Sequence, residues 1–152
     1  MEYDQLKLEN QLCFPIYALS RLIIREYKPL LDDLNLTYPQ YLVLLLLWET
    51  DGLAVNDIAE KLVLNTNTVT PLLKRMETQG LVIRQRSDED ERRVIVTLTP
   101  QGLALRDKAA TVPERLVSSL ASKTMSVDDL KHMVGQIYSL IDHLSDEPHS
   151  ED

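Results

Sequence analysis

The stretch Asn65–Leu98, NTNTVTPLLKRMETQGLVIRQRSDEDERRVIVTL, decides the fold. Its first half reads as a helix. Asn65 or Thr66 can serve as N-cap, Val69, Leu72, Leu73 and Met76 share one face, and Gly80 supplies the residue that ends it. Pro71 lies about one turn in, so the helix either starts later or bends. The second half holds two β-prone runs, LVIRQR (81–86) and VIVTL (94–98), around the polar SDEDERR. That pattern predicts a β-hairpin, with a loop longer than the commonest two-residue turns.

Upstream, LAVNDIAEKLVL (53–64) predicts a short extended piece and then a short helix with Ile58, Ala59 and Leu62 on one face. NLTYPQ (35–40) is a helix start, with Thr37 and Gln40 forming a capping box and Pro39 in the first turn. The apolar run YLVLLLLW (41–48) that follows predicts a buried helix to about Glu49, broken by Thr50–Gly52. From Leu8 to Leu34, Leu12, Ile16, Leu19, Ile23, Tyr27, Leu30 and Leu31 recur at helical spacing. Pro15 costs little if this helix starts near Leu12, and kinks it if the start is Leu8.

Downstream, Thr99 as N-cap and Pro100 at the first helical position open a long helix to about Leu120, expected to bend at Pro113. Ser126 and Asp129 cap a last helix with an apolar stripe from Val127 to Leu144, and the tail beyond is polar and expected to fray. The element order is that of a helix-turn-helix followed by a hairpin wing, residues 35–98. The outer helices, 8–34 and 99–145, carry apolar stripes too long for so small a core. The fold class is therefore mainly α with a small β-hairpin wing, a winged helix-turn-helix made dimeric by its terminal helices.

Composition agrees with a single domain of 152 residues in which helices dominate, with four glycines and 5% aromatics. An eight-residue apolar run is too short for a bilayer, which takes about 20 residues. The start MEYDQLKLEN has no basic and apolar signal pattern, and one cysteine makes no internal disulfide, so a reducing cytoplasm fits. The net charge of −8 argues against nucleic acid when taken alone. Its distribution reverses the argument. Residues 142–152 carry five acids and no Lys or Arg, whereas Lys74, Arg75, Arg84 and Arg86 face only Glu77 between residues 70 and 86. Local charge governs contact with phosphate.

Asn65, Thr66, Asn67, Thr68 and Thr70 bring short donors and acceptors to a helix N-terminus, where they suit phosphates or base edges in a major groove. Lys74 and Arg75 reach for the backbone. The same residues also suit a polar, solvated helix start, and the adjacent hairpin favours DNA. In the acidic wing loop only Arg92 or Arg93 offers a cation for a minor groove. His132, His143 and His149 have no partner cysteine and no ligand spacing, so no metal or other cofactor is expected. No catalytic Ser-His-Asp order, Gly-rich phosphate loop or CxxC is present.

The single thiol, Cys13, is either a small hydrophobe or a sensor. A reactive thiol needs its thiolate stabilised by a helix N-terminus or by hydrogen bonds. Cys13 lies near a helix start, and Tyr17 is four residues on, on the same face. Tyr27, fourteen residues on, is roughly 21 Å away along a straight helix. It can meet Cys13 only across a dimer of crossing first helices, where Tyr38 could join it.

LENQLCF, YKPLLDDLNLTYPQYLVLLLLWE, TVTPLLKRMETQGL and RSDEDERRV together resemble the MarR family of winged-helix regulators, and more closely its OhrR-type branch, which senses organic hydroperoxides. The resemblance spans about residues 6 to 145. It implies a cytoplasmic homodimer on a pseudo-palindromic operator of double-stranded DNA, and a repressor, not an enzyme. It implies that Cys13 is the peroxidatic thiol, flanked by its own Tyr17 and the partner's Tyr27 and Tyr38. It also implies that the helix from about Asn65 enters the major groove and Arg92 the minor groove. Two features depart from the pattern. Pro15 stands two residues after the cysteine, and there is no second cysteine. The chain therefore resembles the one-cysteine type, whose sulfenic acid is captured by a small thiol or over-oxidised. The alternative is a MarR-type repressor released by a small phenolic ligand, with Cys13 structural. A thiol peroxidase lacks the resolving cysteine it would need.

Overall fold

The computed structural model describes residues 3–121 and 125–146. The elements, in order, are α1 (Cys13–Asp32), α2 (Tyr38–Glu49), β1 (Leu53–Ala54), α3 (Val55–Lys61), α4 (Thr66–Thr78), β2 (Val82–Arg86), β3 (Val94–Leu98), α5 (Pro100–Ala109), α6 (Val112–Leu120) and α7 (Val127–Asp146). Two short 3-10 turns, Asp4–Leu6 and Leu8–Asn10, precede α1. The chain divides into two compact units at Val112/Pro113. The described helices include none long and apolar enough to cross a membrane.

The core of the first unit is built from the faces that the periodicity marks. Tyr41, Val43, Leu44 and Leu47 of α2 are buried, as are Ile58 and Ala59 of α3 and Val69, Leu72, Leu73 and Met76 of α4. Leu31, Leu36, Val82 and Val96 complete it. The sheet has the order β1-β3-β2, all antiparallel, with Val82 opposite Leu98 and Arg86 opposite Val94. The hairpin is thus the expected one, and the short extended piece is its third strand, Leu53 facing Val96. Asp51 stitches this strand's approach to β3, because its Oδ1 accepts from the Leu98 N–H at 2.9 Å.

Helix starts follow the cap residues. Gln40 Oε1 accepts from the Thr37 N–H at 2.9 Å, and Asn65 Oδ1 accepts from the Thr68 N–H at 2.9 Å. Thr99 Oγ1 accepts from the Gly102 N–H at 3.0 Å. In the second unit Ser126 and Asp129 cap α7 reciprocally, and the two hydrogen bonds from Ser126 hold the Asp129 carboxyl below its ordinary pKa. Of the two starts open for α1, the structure takes the later. Pro15 is the third helical residue, where a missing N–H costs nothing.

One expectation is corrected and one open alternative is decided. The long helix to Leu120 is two helices, since α5 ends at Ala109 and α6 begins at Val112. Pro113 therefore lies in the first turn of a new helix, where it is tolerated, instead of bending an old one. And α4 does not start late: it begins at Thr66 with Pro71 inside it. Pro71 and Asn67, whose carbonyl loses its intrahelical partner, are both exposed, so water can serve that carbonyl. Residues 147–152, with His149 and most of the acidic tail, lie outside the described residues.

Candidate thiol site and nucleic-acid interface

Cys13 is the first residue of α1, and its thiol is exposed. Tyr17, one turn on, is also exposed and stacks under the Arg21 guanidinium, 5.6 Å from the ring centroid. Tyr27 and Tyr38, expected near a thiol, are brought together in one chain but not with Cys13. Their ring centroids lie 4.7 Å apart, and Tyr41 adds a third ring 5.9 Å from Tyr27. Tyr41 in turn meets the edge of Trp48 at 6.3 Å. These last two rings are part of the site's support, yet in sequence they are hidden inside the apolar run 41–48. Burial, and then the neighbouring Tyr38 and Tyr41, push the Tyr27 phenol up to about 12. It therefore remains an O–H donor throughout the neutral range. Beside this cluster runs a groove of about 690 Å³, with an apolar floor that includes Leu22, Leu36 and Pro39 and a cationic rim of Arg21, Arg25 and Lys28.

The second surface is built by α4 and the hairpin. Asn65, Thr66, Asn67 and Thr68 are exposed at the N-terminus of α4, and Thr70 is half-buried. Lys74, Arg75 and Arg86 are exposed cations on the same segment. Arg84 is differently placed. Its Nε and Nη2 donate to Glu77 Oε2 at 3.1 and 2.8 Å, and its N–H donates to Glu77 Oε1 at 3.0 Å. The Arg84 hydrogen bonds hold the Glu77 carboxyl below its ordinary range. The Arg92 side chain is 92% exposed and pairs with Asp90, whose Oδ1 lies 3.2 Å from Nε. Arg93, the other cation the wing loop offers, reaches back to Asp57 at the start of α3 at 3.1 Å. A pocket of about 180 Å³ brings Thr66, Thr70, Arg84, Arg92 and Arg93 onto one rim. No three His, Cys, Asp or Glu side chains form a metal-binding group among the described residues.

Comparison with known proteins agrees with this geometry. A family profile described as "Transcriptional regulator SarA/Rot" matches residues 25–108. The chain is 50% identical over 143 residues to the organic hydroperoxide resistance transcriptional regulator of Bacillus subtilis (strain 168), covering 94% of this chain and 95% of that one. It is similar to reduced AbfR bound to DNA, with a TM-score of 0.75 at 37% identity, and to overoxidized AbfR bound to DNA, with a TM-score of 0.72 at 39% identity. Each match covers 95% of this chain and 99% of the other. The exposed N-terminal thiol, the winged helix and these likenesses agree: the chain belongs to the SarA/Rot transcriptional regulators of MarR-type winged-helix fold, in the organic hydroperoxide resistance branch.

Proposed function

We propose that this chain is a redox-sensing repressor that binds operator DNA as a reduced homodimer and releases it when an organic hydroperoxide oxidises Cys13. The observation that carries the reading is the single exposed thiol at the N-terminus of α1, in a chain half identical to an organic hydroperoxide resistance regulator. In the dimer, the start of one α1 lies in the partner's groove beside Tyr27 and Tyr38. Those phenols, with Tyr17 of the same chain, donate hydrogen bonds to the thiolate. Tyr27 is protonated at neutral pH and so can donate.

The chemistry is a two-electron transfer to oxygen. The Cys13 thiolate attacks the terminal oxygen of ROOH, the O–O bond breaks, and an alcohol leaves once its alkoxide has taken a proton, so that sulfur becomes a sulfenic acid. A small thiol then attacks that sulfur, forming a mixed disulfide and releasing water. The bulk added at Cys13 and the loss of the thiolate's hydrogen bonds displace the two α4 helices from their half-sites. Release requires about a hundredfold weaker binding in the modified state.

On DNA, the N-terminus of α4, Asn65 to Thr70, reads base edges, Lys74, Arg75 and Arg86 hold phosphates, and Arg92 enters the minor groove. Arg84 acts at the same surface from its pair with Glu77. The test is intact mass after one equivalent of cumene hydroperoxide with a small thiol, alongside operator binding by wild type and Cys13→Ser. A thiol adduct on Cys13 with loss of binding, both absent in Cys13→Ser, is the expected result. A Cys13→Ser protein that still leaves DNA on peroxide treatment would overturn it.

A further inference from the structure

Gln40 is the one buried polar residue among the described residues, at 4% exposure. It sits on the first turn of α2, two residues after Tyr38, whose ring packs on Tyr27. Its side chain uses both ends. Oε1 accepts from the Thr37 N–H at 2.9 Å, and Nε2 donates to Gln79 Oε1 at 2.8 Å, across 39 residues of sequence. Gln79 is the C-cap of α4, its N–H bonded to the Arg75 carbonyl at 3.0 Å. The Gln79 carbonyl also accepts from Gln101 Nε2 of α5 at 3.4 Å. A capping box needs only the Oε1 half of Gln40. The buried amide donor is a further feature, and an apolar residue there would leave less to satisfy.

We infer that the Gln40–Gln79 hydrogen bond is the positioning link that carries a change at the tyrosine cluster to the DNA-reading helix. This rests on the function proposed above. When the first turn of α2 shifts with Tyr38, Gln40 moves with it, since its Oε1 is fixed to the Thr37 backbone. A direct, partly buried bond to the C-cap then drags the end of α4. Without the bond the two elements slide past each other on apolar contacts alone, and oxidation no longer reaches the helix. Physical intermediacy alone does not establish coupling, so the test measures the coupling itself.

Gln79→Ala removes the acceptor at an exposed position. Gln79→Glu retains it, because a carboxylate still accepts from Gln40 Nε2. Each full-length protein is titrated with operator before and after cumene hydroperoxide plus a small thiol, and adduct formation at Cys13 is followed by mass. Gln79→Ala is expected to form the adduct at the wild-type rate while the ratio of oxidised to reduced Kd falls from about hundredfold to below about tenfold. Gln79→Glu restores the wild-type ratio. A Gln79→Ala protein with the full wild-type ratio, or a Gln79→Glu protein as uncoupled as the alanine variant, overturns the inference. Wild type that forms no adduct, or stays on DNA once it has, overturns the underlying function instead.

Discussion

Three helices of this chain end with the same hydrogen-bonding pattern, and one of the three ends on an unsuitable residue. After α1, Asn35 adopts φ 55° and the Leu36 N–H returns to the Leu31 carbonyl at 3.0 Å. After α4, Gly80 adopts φ 72° and the Leu81 N–H returns to Met76 at 3.0 Å. After α3 the left-handed residue is Val63, at φ 54°, with the Leu64 N–H on the Ala59 carbonyl at 2.9 Å. Glycine and asparagine suit this region; a β-branched side chain crowds its own backbone there, at a cost of about 1–2 kcal/mol. The Val63 side chain is 73% exposed, so burial offsets little of that. Val63→Gly is therefore expected to stabilise the fold by about 1 kcal/mol, after allowing for glycine's greater freedom in the unfolded chain. It should appear as a higher urea midpoint at unchanged slope and fixed protein concentration. Gly102 is the opposite case. A Cβ there would collide with the Leu81 carbonyl oxygen, and the Gly102 carbonyl accepts the Trp48 indole N–H at 3.0 Å. Gly102→Ala should lower the unfolding free energy from the same titration by about 1–3 kcal/mol. Tyr27 sets a pH limit. Its pKa is about 12 in the folded chain and 10.0 in the unfolded one, so the unfolded state releases the proton first. Its stabilisation is whole below pH 10, declines as pH rises above it and is gone beyond about 12. Tyr27→Phe should flatten that alkaline decline, and an unchanged decline would show that another group causes it.

At the scale of elements, the wing is held from both ends. Arg84 ties β2 to α4 through Glu77, and Arg93 ties the wing's return strand to Asp57 of α3. The Arg93 and Asp57 side chains are 52% and 43% exposed, so this pair adds well under about 1 kcal/mol to global stability. Its consequence is orientation. Asp57→Asn should leave the unfolding free energy from urea titration within about 0.5 kcal/mol of wild type while weakening reduced operator binding several-fold, because Arg92 next door loses its fixed base. Equal affinity for both proteins would show that the wing orients without the pair. The Glu77 carboxyl lies below its ordinary value because of Arg84. Its contribution is present above pH 4.5 and lost as acid protonates it through the lowered pKa. Most of these elements were legible in the sequence, since caps and apolar periodicity are local: Thr37, Asn65, Thr99 and Ser126 each mark a true start. What escaped was non-local. The short strand at Leu53–Ala54 was legible, but its partner was not, because it pairs with Ile95 and Val96 far along the chain. The break at Ala110–Thr111 carries no Gly, and Pro113 points to the wrong side of it. Arg84 and Arg93 read as free cations until the fold brings Glu77 and Asp57 to them.

At the scale of the whole molecule, α1 and α7 each leave large apolar side chains exposed. Leu12, Phe14, Ile16 and Leu19 of the α1 region are 38–84% exposed, and Val134, Tyr138, Leu140, Ile141 and Leu144 of α7 are 38–62% exposed. Contiguous stripes of this kind mark an interface, and the sequence shows them as helical stripes with no core to fill. Cys13 was legible as a lone thiol at a helix start, and because Tyr27 and Tyr38 pack on each other and not on Cys13 within one chain, the sensor proposed above needs two chains. Electrostatics also belongs to this scale. The net charge is −8, so the chain as a whole repels DNA, and the binding proposed above rests on the local cations of α4 and the wing. Counterion release makes the logarithm of operator affinity fall linearly with the logarithm of salt, by about 0.9 for each phosphate neutralised. A minor-groove Arg92 in both half-sites should therefore remove about two units of slope per dimer when changed to alanine. The chain's own acids predict a further difference. The Arg92 side chain has Asp90 at 3.2 Å, so Arg92→Ala leaves that carboxylate facing phosphate uncompensated. Affinity should fall further at low salt than at high salt, and the two curves should converge as screening shortens the reach of the carboxylate. Parallel curves would instead mean that Arg92 makes a contact without neutralising phosphate, and that the wing's role is one of shape.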